Sequence, residues 1–126
     1  MFVSFAAEDR ERVKRLLPQL CSKDYDLDLY EGSPAEDGGE ISDDSRRTLG
    51  EKIVESCITL CLITEKSHAS ALVNSALNKS RNKGSRIIAM ALKGVKWATL
   101  PDVIKEENLT FYPWDPKKFR RLIDQE

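Results

Sequence analysis

Gly50-Glu51-Lys52-Ile53-Val54-Glu55-Ser56-Cys57-Ile58-Thr59-Leu60-Cys61-Leu62-Ile63-Thr64 joins two elements through a very short turn. Its first half sets Ile53 and Val54 on the apolar stripe of a helix, and residues 57–64 then run as a strand without polar alternation. A strand apolar on both faces belongs in the middle of a parallel sheet, with helices covering each side. In open sheets of that kind, ligands collect beyond the carboxyl ends of the strands. Here that edge is Thr64-Glu65-Lys66-Ser67-His68, with a further helix starting near Ser70.

Upstream, Phe2-Val3-Ser4-Phe5 reads as a short strand. Residues 8–21 form a helix burying Val13, Leu16, Leu17 and Leu20, which Pro18 kinks or ends early. Leu27, Leu29 and Tyr30 make a brief second strand, and residues 33–39, Ser-Pro-Ala-Glu-Asp-Gly-Gly, are the clearest loop. Asp43 or Asp44 is placed to cap the helix carrying Leu49, Ile53 and Val54. Gly50 inside that helix costs about 1 kcal/mol against alanine, which implies close packing there. Downstream, Ser70 caps a helix that buries Val73, Ala76 and Leu77 and stops at Asn82-Lys83-Gly84. Residues 86–92 are a second apolar strand, Pro101 opens a helical turn, and residues 109–112 are a last strand. Asp115 and Pro116 begin a terminal helix with Phe119, Leu122 and Ile123 inward. Five strand–helix alternations predict an α/β fold: a three-layer, doubly wound, five-stranded parallel sheet in the flavodoxin-like order 2-1-3-4-5. With no repeat and no linker, residues 1–126 read as a single domain.

Hydrophobic residues make up 40% and charged residues 33%, which places the chain in neither the disordered nor the membrane class. A net charge of −1 argues against wholesale binding of a nucleic-acid backbone. The clusters Arg10, Arg12, Lys14, Arg15 and Lys117, Lys118, Arg120, Arg121 are balanced by acids and read as solvated faces. Cys21, Cys57 and Cys61 follow no Cys-x-x-Cys spacing, and no metal site is expected. Cys57 and Cys61 share a strand and cannot pair. All three are expected to be buried thiols in a reducing cytoplasm. The apolar run at residues 2–7 is interrupted by Glu8-Asp9-Arg10, too soon for a secretory leader.

The fold hosts unrelated chemistries, so the loops must discriminate among them. A phosphoacceptor domain needs an aspartate ending the third strand, where this chain has Ile63-Thr64-Glu65. A flavin-binding loop after the first strand would be rich in glycine and hydroxyls, unlike Phe5-Ala6-Ala7-Glu8-Asp9. Neither a dinucleotide fingerprint, a Walker loop nor a nucleophile elbow occurs.

Three segments do carry a resemblance. Phe2-Val3-Ser4-Phe5 with Glu8-Asp9, the helix-to-strand run 53–64, and Ser70-Ala71-Leu72-Val73-Asn74-Ser75-Ala76-Leu77 with Ile87-Ile88 resemble the TIR-like domain. They are most similar to its compact prokaryotic family, which includes the TIR subunit of Thoeris antiphage defence, and together they cover most of residues 2–92. The resemblance implies an NAD pocket at the carboxyl edge of the sheet. Family enzymes cleave the nicotinamide–ribose bond and release ADP-ribose or a cyclised signalling relative. A carboxylate must then hold the ribose and stabilise positive charge developing on the sugar. In the family this is a glutamate on the third helix, within Ser-x-Trp-x-x-x-Glu. Ser70 matches the serine, but Leu72 and Ala76 stand where tryptophan and glutamate are expected, and their joint absence reads as divergence of the site.

The resemblance leaves Glu65 as the best substitute catalytic acid. Phe5, Ala6, Glu8, Asp9, Ser70, Asn74, Ala76 and Asn78 are the expected nucleotide-binding positions, and His68 is expected to be solvated. Residues 33–40 correspond to the loop that gates the pocket and mediates self-association in the family, and Gly38-Gly39 suggests that it moves. NAD is then a substrate or ligand and not a resident cofactor, an effector protein is a further partner, and neither nucleic acid nor membrane is expected. Three functions stay open: a signalling module with impaired NAD cleavage, an active NAD glycohydrolase or cyclase, and a nucleotide- or protein-binding domain outside the TIR group.

Overall fold

The computed structural model describes residues 1–21 and 26–124. Five parallel strands, β1 (Phe2–Ser4), β2 (Asp28–Leu29), β3 (Ile58–Ile63), β4 (Arg86–Ala91) and β5 (Phe111–Tyr112), form one sheet in the order β2-β1-β3-β4-β5. The helices are α1 (Arg10–Leu16), α2 (Pro34–Asp37), α3 (Asp43–Val54), α4 (Ala71–Lys83), α5 (Asp102–Glu106) and α6 (Pro116–Asp124). The doubly wound topology is the one the alternation of elements predicts.

β3 lies between β1 and β4, with Leu60 opposite Val3 and Ile88. Its side chains alternate between the two covered faces. Leu60 and Leu62 join Val3, Val13, Met90, Phe119 and Leu122 on the side of α1 and α6. Cys61 and Ile63 join Val73, Leu77, Val103 and Ile104 on the side of α4 and α5. Thr59, fully buried, meets Ser80 of α4 at 2.6 Å, so the one polar side chain inside the strand is satisfied by the helix above it.

Several local expectations are confirmed by geometry. Ser70 accepts from the Val73 N–H at 3.1 Å and Asp115 from the Lys118 N–H at 3.1 Å, each an N-cap. Gly84 ends α4 with a left-handed φ of 83°. Pro18 ends α1 early, turning Leu17–Gln19 into a 3₁₀ segment.

Others are corrected. Ser42, and neither Asp43 nor Asp44, caps α3, accepting from Ser45 N–H at 3.2 Å; the aspartates occupy the first turn, where their charge still suits the helix dipole. Val54 ends α3 67% exposed, because the helix stops before that face returns to the sheet. Only Cys61 is a buried thiol, pushed up to about 12 by desolvation, whereas Cys21 and Cys57 are exposed. Cys57 precedes the first residue of β3 and so escapes its covered layers. Residues 33–39 are not wholly loop: Ser33 caps the single turn α2 through the Glu36 N–H at 3.1 Å. The close packing expected at Gly50 occurs instead at Gly32, where an added Cβ would collide with the Leu72 side chain. Lys83 adds a feature with no sequence signature, donating to the carbonyls of Ile53, Val54 and Ser56 at 2.6–2.9 Å and thereby sealing the end of α3.

Candidate functional site

At the carboxyl edge, the loops after β1 and β3 are tied together before any ligand is considered. Asp9, 2% exposed, accepts a 2.5 Å hydrogen bond from the Thr64 hydroxyl, and Arg12 lies 3.4 Å from its other oxygen. Thr64 in turn donates its N–H to Ser67 Oγ at 2.9 Å and accepts from the Lys66 N–H at 3.2 Å. These bonds fold residues 64–69 into a compact turn leading to α4.

The segment after β2 is fastened to the same edge by Asp37. Its Oδ2 accepts from the Ala7 N–H at 2.8 Å; its Oδ1 accepts from Ser70 Oγ at 2.6 Å and from the Leu72 N–H at 2.8 Å. The carboxylate, 6% exposed, thus joins the first loop, the turn α2 and the N-terminus of α4. Three donors, two of them backbone, satisfy both of its oxygens in this buried position.

Between these loops lies a cleft of about 320 Å³ lined by Ala6, Glu8, Asp37, Gly38, Glu65, Lys66, His68, Ala69 and Ser70. Its size suits part of a nucleotide. Glu8 pairs with Lys66 at 2.5 Å across the mouth, and that hydrogen bond with Glu8 holds the Lys66 ammonium above its ordinary value. Glu65 is half-exposed and sits 3.5 Å from Arg12.

Of the expected site residues, Ala6, Glu8, Glu65 and Ser70 line this cleft, and His68 joins them. Asp9 supports its floor through Thr64. Phe5 is packed in the core beneath α1. Asn74 holds the turn from outside, donating to the His68 carbonyl at 3.1 Å and to the Ser70 carbonyl at 2.9 Å. Asn78 lines a separate groove one turn further along α4. Ala76, 1% exposed, packs with Phe2, Leu49, Ile53 and Leu72 and does not reach the cleft. Leu72, 4% exposed, fills the space over Gly32.

Asp37 and Lys66 are the functional candidates that the sequence alone did not single out. The available signal for Asp37 was an acid ahead of Gly38-Gly39 in the loop after a strand, at the edge where ligands gather. Its loop also proves less free than the glycine pair suggests: α2 is capped and Asp37 is pinned, so only Gly38, Gly39 and Glu40 extend exposed beyond them.

A doubly wound parallel sheet with a polar cleft at its carboxyl edge defines the class: a compact flavodoxin-like α/β domain of the TIR-like kind. The family described as "Thoeris protein ThsB, TIR-like domain" matches residues 2–96, well over half of the chain. The chain belongs to this TIR-like family. No curated protein matches it significantly.

Proposed function

We propose that this chain is a signalling and interaction domain of Thoeris-type antiphage defence whose carboxyl-edge cleft takes an NAD-type nucleotide and cleaves it weakly or not at all. Family membership supports the defence role. The observation that carries the rest is the state of the carboxylates in the cleft.

Breaking the nicotinamide–ribose bond leaves positive charge on the sugar, and a carboxylate stabilises that charge only if its lone pairs are free to face it. Glu8 is engaged by Lys66, and Asp37 by three donors. Glu65 is held by Arg12 at 3.5 Å, the loosest of these attachments, so residual cleavage would run through Glu65. The two α4 positions compared with the family's tryptophan and glutamate, Leu72 and Ala76, serve the core instead. Ala6, His68 and Ser70 remain to contact a base or ribose. Exposed Gly38, Gly39 and Glu40 offer a surface for self-association or for an effector. The exposed thiols of Cys21 and Cys57 suit a reducing cytoplasm.

The test is incubation of concentrated full-length protein with NAD, read by mass spectrometry beside Glu65→Gln, with a thermal-shift titration in parallel. Expected are an NAD-dependent rise in Tm and, at most, slow turnover that Glu65→Gln removes. Rapid turnover would overturn the impaired reading. Absence of both turnover and thermal shift would overturn the nucleotide pocket and favour a pure interaction domain.

A further inference from the structure

Beside the cleft, across the wall made by Gly38-Gly39 and Ser70-Ala71, lies a larger groove of about 420 Å³ between α3 and α4. Its lining includes Arg46 of α3 and Ser75, Asn78, Lys79 and Asn82 of α4, with Ile41 and Ala71 as apolar floor. The four α4 positions recur at i, i+3, i+4 and i+7 and form one helix face. We infer that this groove is a binding site for a phosphorylated sugar, the ribose phosphate of a nucleotide included.

The two cations are the first reason. Among the described residues, neither Arg46 nor Lys79 has a side-chain hydrogen bond or a carboxylate partner, whereas Lys66 and Arg12 at the cleft and Arg81 in the last turn of α4 are all paired. An arginine fork and a lysine ammonium facing each other across a groove fit the oxygens of a phosphate.

Gly50 is the second reason. This mid-helix glycine has neither a left-handed φ nor a crowding neighbour; the nearest atom to a Cβ built there is Lys79 Nζ, at 3.9 Å. The missing side chain leaves room for the Lys79 ammonium to lie against α3 in the groove containing Arg46, one helical turn from Gly50. At 3.9 Å a lone Cβ would make an ordinary contact, whereas a longer side chain at this position would extend toward the ammonium.

The rest of the lining describes the ligand. Asn78 is already committed, donating to the Asn74 carbonyl at 2.8 Å and accepting from Arg81 at 2.8 Å, so it shapes the wall. Among the described residues the side chains of Ser75 and Asn82 have no hydrogen-bond partner, and Glu40 supplies one exposed carboxylate. Two cations against one carboxylate favour an anion, and an acceptor beside neutral donors suits sugar hydroxyls. The other basic depression, formed by Arg12, Arg15, Lys93 and Leu16, lacks these features: Arg12 is occupied by Asp9 and Glu65, and its lining offers no neutral hydrogen-bonding side chain for a sugar.

The experiment is an amide NMR titration of the full chain with ribose 5-phosphate, ribose and AMP. Expected are saturable shifts at residues 39–41, 46 and 75–82 with ribose 5-phosphate and none with ribose. AMP acting in the same region would place nucleotides among the ligands; AMP without effect would restrict the site to free sugar phosphates. Arg46→Ala and Lys79→Ala should each weaken binding by roughly tenfold, the worth of one charge-assisted hydrogen bond. Gly50→Glu, which sets a carboxylate against Lys79, should abolish binding, and Gly50→Ala should preserve it. Silence in this region, shifts centred on Arg12, Arg15 and Lys93, or affinity unchanged in both alanine variants would overturn the site. NAD turnover and the NAD-dependent Tm report on the neighbouring cleft, so either site can fail without the other.

Discussion

The cleft and the groove share a wall but differ in how their charges are used. In the cleft, Glu8, Asp37, Glu65 and Lys66 are all matched with partners from other segments, so the charges fasten loops to one another. In the groove, Arg46 and Lys79 lie on two facing helices, and no acid among the described residues holds either. A polar lining is therefore not by itself a sign of readiness for a ligand; what matters is whether its charges are already neutralised. Helix α4 makes the contrast sharp, because it supplies Ser70 to the cleft, Ala76 to the core and Lys79 to the groove within four turns.

The largest expected effect tests whether Ala76 belongs to the cleft or to the core. Ala76→Glu would bury a carboxylate among Phe2, Leu49, Ile53 and Leu72, with a cost of more than about 4 kcal/mol. Chemical denaturation should show a protein unfolded or barely folded; a stable variant with new NAD cleavage would place this position at the cleft after all. Next, Asp37→Ala strips partners from two buried backbone N–H groups and from Ser70, and should lower stability by about 3 kcal/mol. Hydrogen exchange at Ala7 and Leu72 should accelerate selectively, and unchanged exchange there would show that Asp37 fastens nothing.

A smaller change of opposite sign is expected in the groove. Gly50→Ala meets no clash and should stabilise the protein by up to about 1 kcal/mol, read as a higher denaturation midpoint. Destabilisation would mean that the glycine serves packing and not the Lys79 ammonium. The smallest effect concerns the mouth of the cleft. Glu8 raises the Lys66 pKa above 10.5, so the pair's contribution is fully present below 10.5 and is lost as pH climbs through the higher folded value. Side-chain NMR should show Lys66 titrating above 10.5 and returning toward that value in Glu8→Gln.

Much of this molecule was legible in its residues because local signals and burial agree. Strand β3, the caps Ser70 and Asp115, the stop at Gly84 and the sheet order follow from periodicity, side-chain chemistry and the rules of parallel connection. Ala6, Glu8, Glu65 and Ser70 could be placed at one edge because they follow strand ends or begin a helix there. The misjudged residues are those whose role depends on a neighbour far along the chain. Cys57 and Cys61 share a spacing that suggests one face, yet only Cys61 lies between two covering layers. Gly50 and Gly32 look alike in the sequence, and only packing shows that Leu72 crowds Gly32 while Lys79 lies beside Gly50.

The sequence alone determined the succession of elements, the parallel order of the sheet and the edge at which a site would form. Each rests on hydrophobic periodicity and turn chemistry within a few residues. Tertiary structure alone decided which charges are neutralised. Asp37 finds its donors at Ala7 and Ser70, Glu65 finds Arg12, and Arg46 and Lys79 find no partner among the described residues, because ion pairing depends on distances across the fold that no local pattern encodes.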